Sequence, residues 1–244
     1  MSSIHGYSGN VPTQSDTSNY GLLDVNNYNL LKRRNQISLV NLPPIPSGMT
    51  LRFFLDASEP TSYSGSGSTW NDISGNNRNA TMYNVNFTSS SPSYFNLSNT
   101  FSFSLPTNSL ASNLTVFWAM QTNDTQSLMI TSNGSTDYLG AYSSGNGYYH
   151  SNVSGNRTLY INTSTASTLY SSIRGATSRL VTISDCDFNF TNQQYIFNTY
   201  GSFQFGDGKL YAIGAYNGNL TSADVTALHN FFNEKGYIGI WVGY

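Results

Sequence analysis

From residue 49 onward, apolar residues recur at every second position in short runs. Phe101, Phe103 and Leu105 alternate with serines, and Leu114, Val116, Trp118 and Met120 keep the same spacing. A period of two marks a strand with one face buried. Further runs of strand character fall at 51–55, 82–87, 127–131, 137–142, 157–161, 168–173, 179–184, 193–198, 202–205 and 209–216. Gly, Asn and Ser clusters separate them at the roughly 8–12-residue spacing of a sandwich. The pattern predicts an all-β domain of two antiparallel sheets packed face to face, a jelly roll.

One stretch has a helical period. Thr221 is placed to cap it and Asp224 follows three residues later, the spacing of a capping box. Val225, Leu228, Phe231 and Phe232 fall on one face and Gly236 follows as a stop. This predicts one short C-terminal helix. The run Tyr237 to Tyr244 is too apolar for a solvated tail, so it is expected to be a closing strand or a contact to a partner.

Residues 1–48 read differently. They are rich in Asn, Ser and Tyr, carry Pro12, Pro43, Pro44 and Pro46, and have no sustained period. Consecutive prolines favour the polyproline conformation and block a helix. A disordered tail is one reading. Leu22, Leu23, Leu30, Leu31, Ile37, Leu39, Val40 and Leu42 weigh against it, because so many apolar groups favour lying on a surface. We therefore expect an extended N-terminal arm, 1–48, and a sandwich, 49–244. The run Lys32-Arg33-Arg34 beside Leu30 and Leu31 is the candidate assembly contact, suited to an acidic groove on another subunit or to nucleic acid within a particle.

Two segments carry a family resemblance. The first is the apolar strand Leu51, Phe53, Phe54, Leu55, followed by the Gly65-Ser66-Gly67 turn, a lone Trp70, and Asn71-Asp72-Ile73-Ser74-Gly75-Asn76. The second is Leu210 to Asn217, then Leu220-Thr221 and the short helix ending at Gly236. Together they resemble the two ends of laminin-G-like domains of the concanavalin A-like lectin/glucanase superfamily, over residues 49–236. The resemblance implies a concanavalin A-like sandwich. Trp70 and Asp72 are expected to be structural, the ring plugging one end of the sandwich and the carboxylate capping its own turn.

Composition narrows the function. Charged residues are 9% of the 244 and aromatics 14%, with a net charge of −2. An average soluble protein has about 25% charged residues. A neutral surface without a basic face argues against a nucleic-acid binder. The single Cys186 permits no intrachain disulfide, and its Asp neighbours disfavour a thiolate, so a small buried strand residue is expected. No apolar run is long enough to span a membrane, and the N-terminus shows no secretory signal. Eleven Asn-x-Ser/Thr triplets then read as incidental products of an Asn- and Ser-rich chain.

Catalytic chemistry has few candidates. A retaining glycosidase needs two carboxyls about 5–5.5 Å apart. The chain has two glutamates, Glu59 and Glu234, and neither has an acid two or four residues away. Asp185 and Asp187 alternate, but a turn pair is the simpler reading. His5, His150 and His229 have no metal-ligand spacing. The Gly-rich stretches lack the Lys of a phosphate loop. No cofactor is expected; calcium is an open alternative with Asp56, Asp72, Asp124, Asp137 and Asp207 as ligand candidates, none in a dense acidic loop. Tyr142, Asn146, Tyr148 and Tyr149 surround a Gly-rich turn and combine aromatic faces with an amide, a makeup suited to sugars.

The reading is thus a non-enzymatic virion structural protein at the particle surface: a minor capsid, cement or fibre-associated protein tied to a viral coat protein by its arm. A homo-oligomer is compatible with it. The alternative is a carbohydrate-binding module acting in adhesion or receptor recognition.

Overall fold

The structure is a computed structural model that describes residues 41–97, 101–107, 109–110, 113–122, 127–132, 138–141, 153–154, 157–167, 175–188, 194–196 and 208–239. The chain divides into two compact units, 1–41 and 42–244. The second unit holds every described strand and the described helix.

The described residues form strands β1 (Thr50–Asp56), β2 (Thr69–Trp70), β3 (Ala80–Tyr83), β4 (Phe87–Thr88), β5 (Tyr94–Leu97), β6 (Ser102–Leu105), β7 (Leu114–Thr122) and β8 (Ser127–Ser132). They continue with β9 (Tyr138–Ala141), β10 (Val153–Ser154), β11 (Thr158–Ile161), β12 (Ser164–Thr165), β13 (Gly175–Phe188), β14 (Gln194–Ile196) and β15 (Gly208–Asn217), then helix α1 (Ser222–Glu234). A nine-stranded sheet runs β12-β11-β13-β7-β15-β5-β4, with β1 also on β15 and β10 also on β13. A six-stranded sheet runs β2-β3-β6-β14-β8-β9. The chain is an antiparallel β-sandwich with one short C-terminal helix.

The period-two reading explains the core. Phe101, Phe103 and Leu105 from one sheet meet Leu114, Val116, Trp118 and Met120 from the other in a single buried cluster. The intervening residues of β7 do not face water. Phe117 and Ala119 join a second cluster with Phe54, Leu180, Tyr211, Tyr216, Val225, Leu228 and Phe232 beneath α1. The nine-stranded sheet is therefore buried on both faces along β1, β7 and β15, which is why these strands read as continuous apolar runs.

Helix α1 forms as its ends dictate. The Thr221 side chain accepts from the Asp224 backbone N–H, and Asp224 returns the bond to the Thr221 N–H. Val225, Leu228 and Phe232 are buried, whereas Phe231 is only partly so. At the far end Gly236 N–H donates to Asn233 C=O and Tyr237 N–H to Phe232 C=O, with Gly236 at φ 72°. That double bond is a Schellman stop, in which a left-handed residue satisfies the last carbonyls. Tyr237 and Ile238 then turn back into the cluster under the helix.

Several elements differ from the sequence reading. The run 82–87 divides into β3 and β4, because Asn84 takes a left-handed φ of 52° between them. The expected strand 179–184 is the middle of the 14-residue β13. Asp185 and Asp187 lie in that strand rather than in a turn. A register shift between Ile183 and Cys186 puts Asp185 at φ 61°. Strand β5, absent from the sequence reading, forms against β15. Residues 168–173 and 202–205 lie outside the described residues.

Segment 42–49 belongs to the sandwich unit. Leu42 and Met49 pack against the helix-side cluster, and the Tyr216 hydroxyl donates to Pro44 C=O at 2.7 Å. No described helix is long and apolar enough to cross a membrane.

Candidate functional site

The acids have structural partners. Asp56 is fully buried at the end of β1. Its Oδ2 lies 2.7 Å from Lys235 Nζ just past α1, and its Oδ1 accepts from the Tyr237 hydroxyl and the Ser58 N–H. Burial, then the nearby Asp56 charge, pushes the Tyr237 phenol well above its ordinary value. The cluster clamps the helix terminus to the first strand. Asp72 accepts from the Phe54, Ser74 and Arg78 N–H groups, all at 2.9 Å, so it caps its own turn and ties that turn to β1. Asp187 accepts from Asn113 N–H, Asp185 from the Asn219 side chain, and Glu59 from the Thr61 hydroxyl. Asp185 and Asp187 thus hold two different loops. Among the described residues no three His, Cys, Asp or Glu side chains gather as a metal would need.

Trp70 has no exposure. Its ring meets Phe95 and Phe103 edge-on, with centroids 4.7 and 5.5 Å away, between the sheets. Cys186 is buried in the same cluster, and burial pushes its thiol up to about 12, so it is protonated at neutral pH. Tyr142, Asn146, Tyr148 and Tyr149 lie outside the described residues, as do Leu30, Leu31, Lys32, Arg33 and Arg34 and, of the calcium candidates, Asp124, Asp137 and Asp207.

Among the described residues, α1 packs on the nine-stranded sheet and not on the six-stranded one. Ala80, Met82 and Phe103 point into the core, so Thr81, Tyr83, Ser102 and Ser104 take the outward side. Thr69 opposes Thr81, and Thr81 opposes Ser104. The register row continues through Tyr195, Thr131 and Tyr138. Thr69, Thr81 and Tyr83 are exposed, while Ser102 and Ser104 are buried. Tyr83 keeps 41% of its surface in solvent, and its hydroxyl is 3.4 Å from Ser104 Oγ. The described part of the face is thus an aromatic ring and hydroxyls over a floor of small serines, with no charge. Hydroxyls offer donors and acceptors at once, and a Tyr ring offers an apolar flank with a polar tip. That chemistry matches an uncharged polyhydroxylated ligand.

This face was not found from the sequence. Its signal is visible only after pairing: Thr81-Met82-Tyr83 and Ser102-Phe103-Ser104 each alternate, but nothing local says that they are neighbours.

The chain matches no protein-family model and none of the curated proteins. Among solved structures it is similar to a mutant of Trypanosoma rangeli sialidase with trans-sialidase activity, at 14% identity and TM-score 0.49, covering 85% of this chain and 38% of that one. It is also similar to domain 4 of AbnA, a GH43 extracellular arabinanase from Geobacillus stearothermophilus solved with arabinotriose, at 12% identity and TM-score 0.47, covering 74% and 98%. An HCR/D mutant matches at 11% identity and TM-score 0.47, covering 74% and 51%. At such identities and TM-scores these similarities assign neither a family nor an activity to this chain.

Proposed function

We propose that this chain is a non-catalytic, laminin-G-like sandwich that binds neutral carbohydrate through the outward face of its six-stranded sheet. The observation that carries this reading is the exposed Tyr83 ring set among Thr69, Thr81, Ser102 and Ser104. The acids support the non-catalytic part. Asp56, Asp72, Asp185, Asp187 and Asp224 each accept structural hydrogen bonds, which leaves them poorly placed as an acid–base pair. The test is a glycan array with the full chain and its Tyr83→Ala variant. Truncating a central aromatic at a binding site costs about 2 kcal/mol or more, so signal on neutral glycans should fall at least tenfold with an unchanged melting temperature. Equal signal from both proteins, or turnover of any glycan, sinks the reading.

We also propose a second reading for the same chain, which divides after Asn41: residues 1–41 as an attachment segment that carries the sandwich on a virion surface. Because Leu42 and Pro44 contact the sandwich, the informative deletion stops at Asn41. The truncated protein should stay folded and fail to join its particle. Normal incorporation excludes the attachment role.

A further inference from the structure

The outer face of the nine-stranded sheet is not wholly covered by α1. At its β5 end, register places Asn96, Lys209 and Gln121 in one row across β5, β15 and β7. Alongside, Tyr94 and Tyr211 meet edge-on at 5.8 Å, and Ser178 Oγ donates to the Tyr211 hydroxyl at 3.1 Å. Asn96, Lys209, Gln121, Tyr94 and Ser178 are half-buried, and Tyr211 is buried with its ring stacked on Tyr237, so this is a shelf rather than a projecting surface.

Lys209 is unusual among the cations. Its Nζ sits 4.7 Å from the centre of the Tyr94 ring, and among the described residues it has no ion-pair partner. Asp56, beyond Tyr237 on the same face, is already matched by Lys235. An ammonium held in a partly desolvated place attracts an anion more strongly than one in open water. Two further donors flank it. The Gln121 carboxamide makes no hydrogen bond among the described residues. The Tyr211 hydroxyl accepts from Ser178, which leaves its own proton to give. Asn96 directs its Nδ2 to Thr88 Oγ1 at 2.8 Å, which leaves its Oδ1 as an acceptor for a hydroxyl.

We propose that this shelf is a second binding site, separate from the Tyr83 face, for a saccharide bearing a carboxylate. One ammonium matches one negative charge, which favours a carboxylate over a doubly charged phosphate. The neighbouring phenol, carboxamide and amide oxygen suit ring hydroxyls, and the half-buried Tyr94 ring suits the apolar side of a pyranose. Lys209 supplies the charge, Gln121 and Tyr211 orient the carboxylate, and Asn96 takes a hydroxyl.

The test is calorimetry on the full chain with a glucuronate-containing oligosaccharide and its carboxyl-reduced counterpart. The acidic sugar should bind at least tenfold more tightly than the reduced one, and more weakly at high salt. Lys209→Met, which keeps the apolar stem, should abolish that preference, and Gln121→Ala should weaken it. Tyr83→Ala should leave it intact, which separates this site from the Tyr83 face. If Lys209→Met does not fold, Lys209→Gln replaces it. Equal affinity for the two sugars, no binding of the acidic one, or an unchanged preference in a folded Lys209 variant overturns the assignment.

Discussion

The two sheets use polar side chains in opposite ways. The nine-stranded sheet is covered on its inner face by the other sheet and on much of its outer face by α1. Its buried polar groups are locks. Asp56 holds Lys235 and Tyr237, and the Thr115 and Ser184 hydroxyls, 2.9 Å apart, bind Gly218 C=O and Leu220 N–H in the turn before the helix. On the described outward side of the six-stranded sheet, Thr69, Thr81 and Tyr83 are exposed and Ser102 and Ser104 are buried. A charge-poor chain thus buries two of its few carboxylates, Asp56 and Asp72, as ties between segments, and carries uncharged side chains at the described outward positions of the other sheet. Polarity alone therefore does not mark a candidate site; polarity that stays exposed, as at Thr69, Thr81 and Tyr83, does.

The largest test of this contrast is to remove a lock. Leaving one partner of a buried ion pair unpaired costs about 3–5 kcal/mol. Asp56→Ala should therefore take a large part of a domain's roughly 5–15 kcal/mol, read as a collapse in the denaturant midpoint. A loss below about 1 kcal/mol would mean that the clamp does not hold the helix.

Next comes packing beneath the helix. A Cβ added at Gly214 would stand 2.4 Å from Phe117 Cζ and 3.0 Å from Phe53 C=O. Neither neighbour has space, because Phe117 packs against Phe54, Tyr216 and Phe232. Gly214→Ala should cost about 1–3 kcal/mol, the usual range for overpacking. An unchanged melting temperature contradicts the described close approach of β15 to Phe117.

A smaller effect is expected at Cys186. Its thiol is raised from 9.0 to about 12, mainly by burial. The folded state therefore keeps the proton in a range where the unfolded state loses it. Stability from this group is present in full below pH 9 and declines as pH rises toward 12. Alkylation at pH 8 should proceed only as fast as the protein opens. Rapid labelling of the folded protein contradicts this burial.

The sequence was most legible where the cause is local. Strands β6 and β7 follow from their period, and α1 from Thr221, Asp224 and Gly236, whose bonds span a few residues. It was least legible where the cause is a distant partner. Tyr94 to Leu97 follows a serine-rich stretch and is a strand because β15 pairs with it. The left-handed residues Asn84 and Asp185 interrupt runs that read as uniform. The Tyr83 face needs β3 and β6 paired before its residues become neighbours. The segment Tyr142 to Tyr149, read from composition as suited to sugars, lies outside the described residues, so it and the Tyr83 face are two candidates for the proposed sugar site.

Chemical-shift mapping decides between them. The isotope-labelled full chain is titrated with the neutral oligosaccharide that binds best on the array. Amide shifts should centre on Thr69, Thr81, Tyr83, Ser102 and Ser104, and they should vanish in a Tyr83→Ala variant of unchanged melting temperature. Shifts confined to Tyr142, Asn146, Tyr148 and Tyr149, or persisting without the Tyr83 ring, would contradict binding at the outward face of the six-stranded sheet.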